Sequence, residues 1–533
     1  MKITDMSKLI KVFTVLFTWI FLLSLGWMFF NCVFNNLNDL VHFEMKTIVP
    51  ISILILLILM LVTAFTQKVL LKKHFFIKNK KIFFILSFII VFIFQLIVAR
   101  KTYFDCGWDA GTVIRSGKAL VENPSEFGIS YYQTFPNNIL MVFLYKKIYL
   151  LSLLFSNISY EFLLIIISTI LVDLSVIFAL LIVSEFINKT AFIPAYIFSI
   201  VILMFSSWIA IPYSDTYSII FPVLNIYLYL RIKKCTKVQN KIILSFLIGI
   251  FSIIGYQIKP TAIISMIAII ISCFIYNLKD KKSCVMSLLI ISCIVSSAGA
   301  GKLIYNKKVN RMQVNGVSLV GDTDKQMPMT HFLMMGINEN YIEGRGTLYG
   351  AYNGDDYAIS FGCATKEERI NTNLAEYKER LKKLGISGYI KYISNKGNWM
   401  LSDGTFYYGG EGSFAISECY ESDNTAKLLQ SYFNFDGENY KVNAYFRQAV
   451  WTLVLFFIVI PIIFIKKDFR KEEVFVIRMC IFGIIVFLLL FEGRSRYLLN
   501  HIPLFIVLAS YGFNEMYKLL NVLYRNRVSS NLH

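Results

Sequence analysis

Three aspartates and three cations stand out as groups that could do chemistry if the fold brings them together. Asp105 and Asp109 lie four apart in Tyr103-Phe104-Asp105-Cys106-Gly107-Trp108-Asp109-Ala110-Gly111, and Asp215 lies in Pro212-Tyr213-Ser214-Asp215-Thr216. Lys259 belongs to Tyr256-Gln257-Ile258-Lys259-Pro260-Thr261, and Arg494 and Arg496 belong to Glu492-Gly493-Arg494-Ser495-Arg496-Tyr497. A carboxylate can take the proton of an attacking hydroxyl, while lysine and arginine can hold the oxygens of a leaving phosphate. The six groups are thus parts for transfer from a phosphate-linked substrate. Tyr132, Asn137 and Asn138, in Tyr131-Tyr132-Gln133-Thr134-Phe135-Pro136-Asn137-Asn138, and Tyr497 supply polar side chains that could orient it. Each residue alone has a plainer role, as a solvated anchor at a lipid interface or a headgroup contact. Their placement on one membrane face, derived next, is what favours chemistry.

The elements that must position these residues are membrane helices. Of 533 residues 56% are hydrophobic, and the mean hydropathy is +0.60. The apolar residues fall in blocks near the length that crosses about 30 Å of hydrocarbon. Spans are expected at 12–30, 47–65, 82–98, 162–183, 191–207, 218–230, 242–256, 262–276, 285–303, 449–465, 474–490 and 502–519. Backbone polar groups in lipid must pair within their own segment, so these are helices. The net charge of +19 does not point to nucleic acid, because residues 305–446 hold 15 Lys/Arg against 17 Asp/Glu. The cationic surplus sits instead in short connections: the N-terminus, 67–81, 188–190, 231–241, 277–282 and 466–471, with Arg525 and Arg527. The positive-inside rule makes that side and both termini cytoplasmic. The opposite side receives 35–46, 99–138, 207–217, 257–260, 305–446 and 492–501, and with them every candidate residue named above. The block 139–155 carries Lys146 and Lys147 at its centre, so it is expected to lie in the outer leaflet rather than cross.

The chain therefore divides into an N-terminal membrane region 1–304, an extracytoplasmic α+β domain 305–446 and a C-terminal membrane region 447–533. Within the domain, Thr365 and Glu368 form a capping box before a helix ending at Gly385. Asn353-Gly354 and Asp403-Gly404 read as hairpin turns. The nine cysteines show no CxxC pair or Cys/His cluster; Cys363 and Cys419, both in the domain, leave one disulfide open. There is no GxSxG, HExxH or dinucleotide fingerprint. Gly299-Ala300-Gly301-Lys302 matches only the end of a phosphate loop and reads as small-residue helix packing.

In this order, the acidic first outer loop, Phe135-Pro136-Asn137-Asn138, Tyr213-Ser214-Asp215-Thr216, Ile258-Lys259-Pro260-Thr261 and Glu492…Arg496-Tyr497…Pro503 resemble the GT-C glycosyltransferases. The resemblance covers most of the membrane portion and is closest to uncharacterised members from Gram-positive bacteria. It implies a GT-C-like fold of about twelve transmembrane helices and transfer of a sugar from a polyprenyl-phosphate carrier, on the outer membrane face. The acceptor would be a glycan, glycolipid or protein of the cell envelope. It also implies an aspartate of the first outer loop as general base and cations near the last spans as phosphate ligands. The two aspartates four apart depart from the family's commoner loop and leave the base open. The Trp108-Asp109-Ala110-Gly111 context favours Asp109 over Asp105. A single-base displacement would invert the anomeric centre. No cofactor is expected; Asp105, Asp109 and Asp215 are possible oxygen ligands for a divalent metal, but no metal site is assigned. The competing class is a transporter or lipid-linked glycan flippase. That class calls for ionisable groups near the bilayer midplane, where Asp173 is the main one, and for broken helices in a repeated pair.

Overall fold

The computed structural model describes residues 3–68, 74–277, 281–411, 419–461 and 471–530. The cationic connection 466–471, apart from Lys471, parts of 67–81 and 277–282, and the side chains of Arg525 and Arg527 lie outside the described residues. The chain is an α-helical, polytopic membrane protein. Among the described residues, nine helices are long and apolar enough to cross a bilayer. They lie in α1 (Ile3–Phe34), α2 (Met45–Lys68), α3 (His74–Lys101), α6 (Tyr160–Ile182) continued by the π-turn Val183–Ile187, α9 (Val238–Ile258), α10 (Ile264–Asn277) preceded by the helical turn Pro260–Ile263, α11 (Lys281–Val309), α16 (Tyr440–Val459) and α17 (Glu472–Leu490).

Three more expected spans are helical but differ in length or polarity. The segment 191–207 forms the short α7 (Phe192–Ser199) followed by a π-turn, Ile200–Met204. Arg447 of α16 donates to the carbonyls of Val201 (2.8 Å), Ile202 (3.2 Å) and Phe205 (3.2 Å), which that irregular turn leaves free. The second, α8 (Ile220–Lys234), has 15 residues. The third, α18 (Ile502–Ser530), extends well past its apolar part.

Between α3 and α6 lie α4 (Asp109–Glu122) and α5 (Ile139–Ser152). At 14 residues α5 spans about 21 Å, too short to cross, and it packs on α4 and α6. The side of the molecule carrying residues 305–446 is called the domain side below. This region contains two small antiparallel ladders, β1 (Gln313–Val314) with β2 (Val317–Ser318) and β3 (Glu339–Ile342) with β4 (Gly346–Tyr349). Around them stand α12 (Met329–Met335), α13 (Gly354–Phe361), α14 (Lys366–Leu401) and α15 (Asn424–Phe433).

Two expected hairpins are caps and turns instead. Asn353 is the N-cap of α13, its side chain accepting from the amides of Asp355 (2.8 Å) and Asp356 (3.1 Å), and those two acids suit a helix start. Asp403 follows the end of α14 and accepts from the Thr405 amide (2.8 Å), the Thr405 hydroxyl (2.6 Å) and the Tyr407 amide (2.6 Å), so residues 399–401 are helical and no strand pair forms. The Thr365 cap forms, with Glu368 bonding the Ala364 amide. Gly385 interrupts α14 at φ +62°, after which the helix resumes and runs back to the membrane helices. There Trp27 of α1 donates to the Ser394 hydroxyl (2.7 Å), and Gly397 sits against Met28 and Leu489. Cys363 and Cys419 are both free thiols in this structure.

Candidate functional site

Five charged side chains from four separate chain segments converge on the domain side. Asp215 sits in a one-turn helix, Ser214–Ser218, opened by a capping box between Tyr213 and Thr216. Lys259 caps the end of α9, and Pro260 prevents that helix from continuing. Arg494 and Arg496 follow α17, at the start of the turn Ser495–His501 that leads into α18. The fifth group is Glu411, delivered by the loop after α14.

Lys259 pairs with Asp215, and Arg494 pairs with Glu411. Arg496 lies between them, with Nε 3.6 Å from Asp215 Oδ2 and 3.4 Å from Glu411 Oε1. The side chains are nearly out of solvent: Asp215 is 2% exposed, Glu411 6% and Arg496 7%. Burial alone would raise the Glu411 pKa, but Arg494 and Arg496 outweigh it and hold the carboxyl below the usual glutamate range. Aromatic rings wall the cations in. The Arg496 guanidinium lies 4.5 Å from the Trp108 ring centre and 5.3 Å from Tyr497, and Lys259 Nζ lies 4.6 Å from Tyr497. Tyr497 donates to Glu492 at 3.0 Å.

Three cations thus stand against Asp215 and Glu411, with a third carboxyl, Glu492, set beside Arg494 and raised above the usual glutamate range by burial. Among the described residues Arg494 Nε, Arg496 Nη1 and Ser495 Oγ are buried without a hydrogen-bond partner, while Arg496 Nε faces Asp215 Oδ2 and Glu411 Oε1 across the ion pairs without a hydrogen bond to either. Such donors cost free energy unless something accepts from them.

Asp109 stands at the open edge of this cluster. It is the first residue of α4, exposed to solvent, next to the Trp108 ring that covers Arg496. The helix N-terminus favours its carboxylate. Even so, packing around it raises its pKa above the usual aspartate range, against the pull of the Tyr131 hydroxyl and Arg496. A carboxylate made more basic in this way is a better proton acceptor near neutral pH. Asn138 Nδ2 donates to the Tyr131 hydroxyl at 2.7 Å, and Asn137 donates to Asn138 at 3.3 Å. Of the neighbouring tyrosines it is therefore Tyr131 that meets Asp109, while Tyr132 is buried and stacks on Phe127, ring centres 4.7 Å apart.

Asp105 is not brought into the cluster. It pairs with Arg115 one helical stretch later, at 2.8 and 2.9 Å, on an exposed edge. Asp105, Asp109 and Asp215 accordingly do not form a ligand set, and among the described residues no three His, Cys, Asp or Glu side chains do so. Glu411, Tyr131 and Trp108 are the residues that motif reasoning passed over. Glu411 had one signal, its place directly after Gly409-Gly410, where Gly409 takes φ +94° with Phe435 packed against it.

No curated protein and no solved structure matches the chain. A family model described as a conserved hypothetical integral membrane protein matches residues 4–517, nearly the whole length. The chain belongs to this family of integral membrane proteins.

Proposed function

We propose that the chain is a membrane glycosyltransferase that moves a sugar from a polyprenyl-phosphate carrier to a cell-envelope acceptor. The observation that carries this is the convergence of Lys259, Arg494 and Arg496, with guanidinium nitrogens unbonded, beside the solvent-open Asp109. Asp109 takes the proton of the acceptor hydroxyl, whose oxygen attacks the anomeric carbon. The bond from that carbon to the phosphate oxygen breaks, and the electron pair leaves on the phosphate, with inversion. Lys259, Arg494 and Arg496 hold the negative charge that develops there. A phosphate leaving group needs no acid, so one carboxylate suffices. Asn138 and Tyr131 orient Asp109; Tyr497, Trp108 and Asn137 line the approach.

Asp109→Asn keeps the side chain's shape and removes the base. Sugar transfer from a polyprenyl-phosphate hexose should fall by about 10²–10⁴-fold, while binding of polyprenyl phosphate to the protein in nanodiscs persists. Normal turnover in that variant would end the role of Asp109.

The same proposal includes twelve spans, both termini in the cytoplasm and residues 305–446 outside. A reporter inserted at Gly354 should then be accessible on intact cells, and one inserted within 231–241 only after lysis. Equal access to both would invert or break this topology. The transport alternative draws on Asp173, which is buried within α6 beside Gln95 of α3. Substrate movement that survives Asp109→Asn would favour it.

A further inference from the structure

Lys302, the last residue of the Gly299-Ala300-Gly301-Lys302 string, is half-buried where α11 packs on α9. Its ammonium lies 5.0 Å from the centre of the Tyr256 ring and 5.7 Å from that of Tyr305. Among the described residues it forms no ion pair. The next two residues of α11, Leu303 and Ile304, are 71% and 59% exposed, as side chains that face lipid are. Tyr256 lies in the last turn of α9, so Lys302 stands level with the end of a span. Lys307 and Lys308 stand about 8 Å higher on the same helix. An ammonium at that depth, flanked by apolar side chains and without a carboxylate, is stabilised by an anion at the headgroup boundary.

Its position relative to the charged cluster gives it a direction. Tyr256 is three residues before Lys259. The end of α9 packs on the turn Pro136–Asn138, whose Asn138 leads through Tyr131 to Asp109. Tyr305 rests against the backbone of Leu140 in α5. Between Tyr256 and Lys259, Gln257 Nε2 is buried without a hydrogen-bond partner among the described residues. A lipid-facing cation, a buried amide donor and the cluster cations thus follow one another along a few residues of α9 and its neighbours.

We propose that Lys302, seated on Tyr256 and Tyr305, is a docking point for the phosphate of a lipid carrier in the domain-side leaflet, ahead of the cluster formed by Lys259, Arg494 and Arg496. This rests on the function proposed above, but its test separates the two. Lysine suits such a station because it contacts phosphate as a point charge without the fixed fork of arginine, and cation–aromatic contacts leave one side of the ammonium open.

The experiment uses the full chain in phosphatidylcholine nanodiscs and two probes: a long-chain polyprenyl phosphate in the bilayer and water-soluble geranyl phosphate added from solution. Lys302→Ala should weaken binding of the lipid-borne phosphate about tenfold, the loss expected for one charge-assisted contact, and leave geranyl phosphate within about twofold. Lys302→Arg should retain binding, which shows that the fold tolerates substitution there. Arg496→Lys should weaken both probes. The docking role is overturned if Lys302→Ala changes neither probe, if it weakens both equally, or if phosphatidylglycerol competes as well as the polyprenyl phosphate does, since the site is then a general headgroup anchor. If Lys302→Ala acts only on the lipid probe while Arg496→Lys affects neither, the docking point stands and the cluster's role as the phosphate site fails.

Discussion

Arg496→Ala should destabilise the protein by about 3–5 kcal/mol, the usual cost of removing one partner from a buried ion pair. Arg496 is the only one of the three cations within 4 Å of both carboxylates, at 3.6 Å from Asp215 and 3.4 Å from Glu411, and all three side chains are nearly fully buried. Its loss leaves Asp215 and Glu411 each held by one cation only, Lys259 and Arg494. The midpoint of thermal unfolding in nanodiscs, followed by tryptophan fluorescence, should fall clearly. Arg496→Lys should recover part of it, because the charge returns without the planar fork. Arg496→Met with Glu411→Gln also strips Arg494 of its direct partner, so the double variant should be no more stable than Arg496→Ala. A wild-type midpoint in Arg496→Ala would show that the five charges do not assemble as described.

Lys396→Met should have a comparable effect through a different route. Lys396 is fully buried, and its ammonium donates to the carbonyls of Gly336 (2.7 Å), Leu489 (3.2 Å) and Phe491 (2.6 Å). Gly350 makes room for it: a Cβ there would lie 2.5 Å from Nζ. The same stretch is held by the Glu492 amide on the Phe332 carbonyl (2.8 Å) and the Gly493 amide on the Gly350 carbonyl (2.9 Å). Lys396 thus ties the segment carrying Arg494 and Arg496 to the 305–446 region. Methionine fills the space but offers no proton, and carbonyls left unsatisfied in the interior cost about 1–3 kcal/mol each. A net loss of about 2–4 kcal/mol is expected after the released cost of burying the ammonium. The pH dependence carries a sign. Burial pulls Lys396 down to about 7, with Glu492 pulling it up, against an ordinary value of 10.5. Between those values the unfolded chain binds more protons than the folded one, so the contribution of Lys396 makes stability rise with pH across that window. Below about 7 both forms are protonated and the slope vanishes. Lys396→Met should remove the rise; an unchanged slope would mean that Lys396 does not titrate there.

The membrane helices were readable because hydropathy acts over whole segments. Asp215, Lys259, Arg494 and Arg496 could be singled out because each lies within a few residues of an apolar block, so helix ends alone carry them to one face. Pairing was not readable. Asp105 meets Arg115 because α4 starts at Asp109, a boundary that no periodicity marked. Glu411 comes from a loop, where position depends on backbone turns at Phe406 and Tyr407, both at positive φ. Tyr131 and Tyr132 sit on one short helical turn about 100° apart, and only tertiary packing decides which meets Asp109. Two Asn-Gly pairs show how context decides a turn. Asn315-Gly316, between Val314 and Val317, is the tight hairpin, with both central residues at positive φ. Asn353-Gly354, followed by two aspartates, is a helix cap.

The order in which the five clustered charges occur along the chain has a consequence during synthesis. From the N-terminus they come as Asp215, Lys259, Glu411, Arg494 and Arg496. Asp215 and Lys259 become neutral as a pair before the 305–446 region is made. Glu411 then waits for Arg494, its direct partner in the finished fold. The two arginines that complete the cluster are made only just before α18, so Glu411 stays without its partner until most of the chain exists.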